Sequence, residues 1–248
     1  MKREFDPDEP ELMDRQQPVT PELEADLENL RKLNQHFGSH SLVRRFLRMW
    51  LRPGRTYRIL DLATGSADIP CMIAGWARAR NIAVKIDAVD FHESTLEVAR
   101  RRVAGCTEIS LIRDDVRTFW GGETYDLVCC SLALHHFSSE DAVKILRRMR
   151  LLSHDKVLVA DLDRSRPTQA AVWLVTALLY RDPMTKFDGR LSARRAFSFS
   201  EFRALAAEAG WENFRHRRFL PARQAMWMSG REAEPVIDLP LPAPDFAA

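Results

Sequence analysis

The stretch Ile59-Leu60-Asp61-Leu62-Ala63-Thr64-Gly65-Ser66-Ala67-Asp68 decides how the rest of the chain is read. An apolar run over residues 57–62 has the length and character of a buried strand. It breaks into a loop of small and polar residues, 63–68, and passes directly into a helical period over 69–79. Downstream the same alternation repeats. Strands are expected at 83–89, 109–112, 125–131 and 156–161, with helices near 94–103 and 139–152. A βα rhythm of this kind predicts a mostly parallel sheet covered by helices on both faces, and the apolar run 127–132 places its strand near the middle.

The composition of the 248 residues fits one large domain. With 46% hydrophobic and 29% charged residues, and only 13 prolines and 10 glycines, the chain is neither mainly disordered nor collagen-like. Basic and acidic residues nearly cancel, 37 against 35, so no broad nucleic-acid footprint exists. The basic groups Arg147-Arg148-Arg150 and Arg215-His216-Arg217-Arg218 read as charged faces and edge-strand protection; they lack interleaved aromatic platforms. Cys71, Cys106, Cys129 and Cys130 have no CxxC spacing, and adjacent cysteines in a strand point to opposite faces, so reduced thiols and no metal are expected. The N-terminus lacks a basic segment followed by an apolar run, and the longest apolar stretch, 170–179, is too short for a membrane span. The expectation is a cytoplasmic protein with no membrane span.

The flanks divide from this core. Residues 1–20 carry turn formers without a sustained period and read as a flexible arm. Residues 21–53 form a helical lid or substrate-binding segment: Leu23, Leu27, Leu30, Leu33 and Phe37 recur at helical spacing after the cap Thr20, and Ser41 is placed to cap a second helix. The main domain spans 54–230, with a helical insertion near 164–197. Ser198 or Ser200 starts the next helix, and two final strands form an edge hairpin with Pro221 in its turn. The Pro-rich tail 231–248 reads as loose.

Open α/β sheets bind ligands beyond the carboxyl ends of their strands. The loop 63–68 lacks the three glycines of a dinucleotide fingerprint and carries Asp61 and Asp68 without Lys or Arg. A pyrophosphate would meet like charge there, whereas a sulfonium and an ammonium would meet opposite charge. The pattern therefore favours S-adenosylmethionine over NAD. Ala63, Gly65 and Ala67 allow close backbone approach, with Gly65 best placed to take a left-handed dihedral. Asp90, at the end of the second strand, can accept both ribose hydroxyls or cap the following helix. Either Asp114 or Asp115, with Asp115 favoured, can accept from an adenine amino group while Val116 or Phe91 covers the ring.

Together the run 59–68, Asp90, Asp114-Asp115-Val116, and Tyr125-Asp126-Leu127-Val128 followed by Leu134-His135-His136-Phe137 resemble the class I S-adenosylmethionine-dependent methyltransferases. The likeness is greatest to the small-molecule branch containing quinone and polyketide methyltransferases, and it covers about residues 58–228. The resemblance implies a Rossmann-like, seven-stranded sheet with an antiparallel C-terminal strand. It also implies that Asp61 and Gly65 line the methionine side, that Asp90 holds the ribose, and that Asp115 and Val116 meet adenine; Ala63, Thr64, Asp68 and Ser131 are further candidates for binding the cofactor. Ala63 and Ala67 stand where the family often has glycine.

Methyl transfer needs an acceptor aligned behind the sulfonium methyl. His135 or His136, beyond the fourth strand, can remove a phenol or enol proton, and Asp161 or Asp163 can orient the substrate or cap a helix. Phe37, Trp173, Ala177, Tyr180 and Phe187 are candidates for an apolar substrate wall, and Arg194 for an anionic group. These side chains would equally serve helix packing or a homodimer contact. The expected activity is methylation of a small hydrophobic, phenolic or polyketide-derived acceptor, oxygen favoured over carbon, leaving S-adenosylhomocysteine. The alternatives are a non-catalytic cofactor-binding scaffold or sensor, and an NAD-dependent oxidoreductase, which fits the acidic loop poorly.

Overall fold

The computed structural model describes residues 1–229; the expected tail 231–248 lies outside the described residues. Seven strands form one sheet: β1 (Thr56–Leu62), β2 (Ala83–Asp90), β3 (Ile109–Arg113), β4 (Tyr125–Ser131), β5 (Ser153–Leu162), β6 (Arg215–Phe219) and β7 (Arg223–Met228). Their order is β3-β2-β1-β4-β5-β7-β6. Strands β1 to β5 pair in parallel, whereas β7 runs antiparallel to both β5 and β6. The parallel, doubly covered sheet with an antiparallel C-terminal strand is thus observed.

Burial on both faces explains the apolar strands. Leu60 and Leu62 of β1 join Val128 and Cys130 of β4 in a core beneath α5 (Ser139–Leu152) and α8 (Phe199–Glu208). Ile59 and Tyr57 join Leu127 and Cys129 in the opposite core beneath α2 (Ser39–Trp50) and α3 (Asp68–Arg78). Cys129 and Cys130 therefore occupy opposite faces, and burial pushes both thiols well above their ordinary pKa. The remaining helices are α1 (Pro21–His36), α4 (Glu93–Val103), α6 (Arg166–Leu179) and α7 (Pro183–Arg195). Among the described residues no helix is long and apolar enough to cross a membrane.

Local chemistry sets the helix ends. Thr20 accepts from the Leu23 amide and Pro21 opens α1, as expected. Ser198 starts α8 in a reciprocal capping box with Glu201, which selects it over Ser200; such a cap contributes about 1 kcal/mol. The second helix begins earlier than expected. Gly38, at φ +98°, turns the chain and α2 starts at Ser39, so Ser41 lies inside the helix and its hydroxyl donates back to the Gly38 carbonyl.

The expectation of a loose arm over residues 1–20 is revised. Arg3 donates to the carbonyls of Arg195, His135 and Phe137, and its guanidinium lies over Phe197. The Leu12 and Met13 amides donate to Asp188, and buried Arg195 donates to the Asp6 and Glu9 carbonyls. Turn formers make this segment irregular, and specific polar contacts with α7 and the β4 outlet hold it.

Candidate functional site

Above the carboxyl ends of β1, β2, β4 and β5 lies a cavity of about 610 Å³, roofed by residues 5–14, α1, α6 and α7. The β1 end forms its floor. Ala63, Gly65 and Ala67 have φ of 55°, 56° and 60°, so all three of this loop's small residues, not Gly65 alone, take the left-handed conformation. The Thr64 amide donates to the Val89 carbonyl at 2.9 Å, tying the loop to the end of β2.

Asp90 organises this end. One carboxylate oxygen accepts from the Gly65 amide at 2.7 Å and the other from the His92 amide at 3.0 Å. Burial raises its pKa despite both bonds. Asp61 lies behind the wall, 2% exposed, with burial pushing its carboxyl up to about 7. Among the described residues no lysine or arginine pairs with either. Asp68 lines the cavity and is held by Asn34 and His40 from α1 and α2. The hydroxyls of Thr64, Thr95 and Ser131 are buried without a hydrogen-bond partner, and all three residues line the cavity.

Beyond β2 the lining includes Phe91, and beyond β3 Asp115 and Val116. Asp115 is forked by its neighbour Arg117, whose hydrogen bonds hold its carboxyl below the usual range. Asp114 does not line the cavity; its carboxylate accepts from the Asp115 amide. Of the two adjacent aspartates, Asp115 is the one that lines the cavity.

A polar shelf closes the β4 side. His135 is 2% exposed; its Nδ1 lies 2.6 Å from Asp161 Oδ1, and its amide donates to Asp161 Oδ2 at 3.1 Å. His136 Nδ1 lies 2.5 Å from Asp14 Oδ2. The two histidines are therefore both in the lining, despite adjacent positions, because they occupy a short 3-10 turn, Leu134–His136, rather than a strand. Glu11 faces them, accepting from the Ser192 hydroxyl at 2.8 Å. Burial pushes Glu11 up to about 8 and lowers His135, whereas for His136 the carboxylates of Asp14 and Glu11 outweigh burial and hold it up at about 10. Asp161 stands behind His135, outside the lining. Asp163 turns to Arg218 at 2.7 Å and also lies outside it.

The apolar wall is reassigned. Phe37 lines the cavity, together with Leu30 and Leu33 of α1. Trp173, Ala177, Tyr180, Phe187 and Arg194 do not. A helix presents one face inward, and α6 turns Ala171, Val172, Val175 and Thr176 to the cavity, leaving Trp173 56% exposed. Helix α7 likewise turns Gly189, Ser192 and Arg195 inward, with Phe187 exposed and Arg194 facing Glu4 at 3.6 Å. The sequence reading took mainly the large side chains of this insertion for the wall, with Ala177, whereas the structure turns smaller ones there. Glu11 and Asp14 were missed because an irregular, turn-rich segment offers no period; the Glu11-Leu12-Met13-Asp14 group within it was the available signal.

Comparison with known proteins agrees with this geometry. Residues 59–155 match the family model described as a methyltransferase domain. The chain is 25% identical over 189 residues to demethylmenaquinone methyltransferase of Staphylococcus aureus, covering 69% of this chain and 77% of that protein. Its fold resembles the plantazolicin methyltransferase BpumL in complex with SAH (TM-score 0.63, 13% identity, 85% of this chain and 91% of that one). It also resembles the S-adenosylmethionine-dependent methyltransferase SibL (TM-score 0.60, 19% identity, 84% of this chain), of whose length it spans only 58%. The strand order and the loop after β1 thus go with a stretch, residues 59–155, that is similar to a methyltransferase domain, and with a fold similar to that of S-adenosylmethionine-dependent methyltransferases.

Proposed function

We propose that this protein transfers a methyl group from S-adenosylmethionine to a hydroxyl of a small apolar acceptor of phenolic, quinol or polyketide-derived type. The observation that carries the reading is the continuity of one cavity, whose floor is acidic and hydroxyl-rich and whose far wall is apolar with a single polar shelf. Its volume falls within the roughly 300–1,000 Å³ of small-molecule sites. The structural likenesses are matters of fold, and the acceptor class rests on the cavity's chemistry.

The floor fits the donor. Unpartnered hydroxyls of Thr64 and Ser131 and the carboxylate of Asp90 without a basic partner, with Asp61 behind them, suit a ligand carrying positive charge and several donors. In this reading Asp90 holds the ribose hydroxyls and Asp115 and Val116 meet the adenine, with the exposed Phe91 able to cover the ring. The methionine portion is held by Ala63, Thr64, Gly65 and Ser131, with Asp61 and Asp68 supplying negative charge. The bound donor supplies an electrophilic methyl group and leaves as S-adenosylhomocysteine.

The chain's own residues serve the acceptor by position. Leu30, Leu33, Phe37, Val172 and Val175 cover an apolar body and exclude water. The acceptor hydroxyl lies against His135 and His136; as its oxygen attacks the methyl group its proton passes to His135, whose Nε2 has no other partner, and Asp161 is a positioning residue that fixes the His135 ring. Orientation of the two reactants supplies much of the rate.

The test is mass spectrometry of a phenol and quinol panel incubated with the full chain and methyl-labelled donor. Label on an acceptor oxygen is expected. Saturable donor binding with no labelled product across the panel would refute the catalytic reading and favour a sensor, and label on carbon would refute the choice of atom.

A further inference from the structure

We propose that Glu11, His135 and His136 form a site for a divalent transition-metal ion such as zinc, at the polar shelf of the cavity. One ligand atom from each residue lies within 4.8 Å of the others. The Nε2 atoms of His135 and His136 stand 3.8 and 4.0 Å from the two carboxylate oxygens of Glu11. All three residues line the cavity, and His135 Nε2 is buried without a hydrogen-bond partner.

The surroundings point to ligation rather than to a plain hydrogen-bonded cluster. Each imidazole has its Nδ1 held by a carboxylate, Asp161 at 2.6 Å and Asp14 at 2.5 Å. Metal-bound histidines characteristically give their second ring nitrogen to such a group, which fixes the tautomer and leaves the other lone pair for the ion. Two separate carboxylates perform that task here on neighbouring rings, and both free nitrogens turn toward the same third carboxylate. Glu11 is buried and pairs with no lysine or arginine among the described residues. A divalent cation between the three residues would give Glu11 its counter-charge in place of the protons on the imidazole nitrogens that face it.

Two imidazole nitrogens and one carboxylate oxygen are donors for zinc, iron, cobalt or nickel, not for magnesium or calcium, which take oxygen. Three protein ligands leave a further position on the ion, and the volume they line is the cavity. Glu11 comes from the N-terminal segment and the histidines from the turn after β4, so the ion would also fasten that segment over the site. With the ion bound both Nε2 atoms are ligands, so the acceptor oxygen would take the ion's further position and its proton would pass to solvent instead of to His135; that placement rests on the proposed methyltransferase reading, whereas metal binding itself does not.

The experiment uses the full chain without a histidine tag, stripped with a chelator, loaded with zinc chloride and desalted. Metal content is read by plasma mass spectrometry, and cobalt loading by its visible absorption. One zinc per chain is expected. Glu11→Gln and His136→Ala should each weaken zinc binding at least about 10- to 100-fold, Asp14→Asn by a similar factor through the ring it holds, and the exposed His154→Ala should change nothing. Circular dichroism checks folding; if His136→Ala fails to fold, the nearly isosteric Glu11→Gln carries the comparison. Zinc absent after loading, or held equally by Glu11→Gln, overturns the site. Retained zinc in a protein that methylates no acceptor would sink the proposed reaction and leave the site standing. Methylation by the unaltered chain with no zinc retained after loading would do the reverse.

Discussion

Replacing Ala63 by glycine probes the loop on which the cofactor assignment depends. Ala63 has φ +55°, a conformation that costs an L-residue about 1–2 kcal/mol. Glycine removes that cost and adds about 0.5–1 kcal/mol of unfolded-chain entropy. Ala63 is only half-buried and lines the cavity, so losing its methyl forfeits little packing. Ala63→Gly should therefore stabilise the protein by about 0.5–1 kcal/mol, raising Tm by roughly 1–4 °C for a domain of this size. Ala67→Gly is the internal control. Its φ is +60°, but the residue is fully buried, and deleting a buried methyl costs about 0.8 kcal/mol, which brings the sum near zero. Urea denaturation followed by circular dichroism measures both. A loss of 1 kcal/mol or more in Ala63→Gly would refute the left-handed loop.

Further predictions concern the floor, the wall and one buried acid. Asp90→Asn replaces an acceptor by a donor facing an amide, and should weaken S-adenosylmethionine binding about 10- to 100-fold by calorimetry. Val172→Trp should lower kcat/KM for the acceptor at least about 10-fold with donor affinity unchanged, whereas Trp173→Ala, on the outer face, should alter neither. Asp26 is buried with both carboxylate oxygens unpartnered, and burial pushes its pKa up to about 7. Between the unfolded value near 4 and about 7 the unfolded state has released a proton that the folded state keeps, so this group's contribution falls as pH rises through that window. Asp26→Asn should accordingly gain on the order of 1–3 kcal/mol over the parent at pH 8 and little at pH 4; equal effects at the two pH values would contradict the assignment.

The parallel core was legible because burial on both faces writes continuous apolar runs, as in β4, and because strand ends carry their acids openly, as at Asp61 and Asp90. The capping box at Ser198 and the N-terminal cap at Thr20 could be read from local chemistry alone. What could not be read depends on contacts across the chain. Glu11 and Asp14 reach the histidines from more than 120 residues away, through an irregular segment whose order comes from Arg3, Arg195 and Asp188. The inward face of α6 was equally hidden: a helix apolar all round does not declare which side meets the cavity, and here Val172 and Val175 face in while Trp173 faces out. The left-handed Ala63 and Ala67 were visible only as departures from glycine.

The central claim is that the acidic floor above β1 and β2 receives S-adenosylmethionine. Isothermal titration of the full chain with S-adenosylmethionine, and with NADH in parallel, tests it most directly. The account predicts saturable binding of one S-adenosylmethionine per chain, weakened by Asp90→Asn, and no heat from NADH. Saturable NADH binding with no response to S-adenosylmethionine would contradict it.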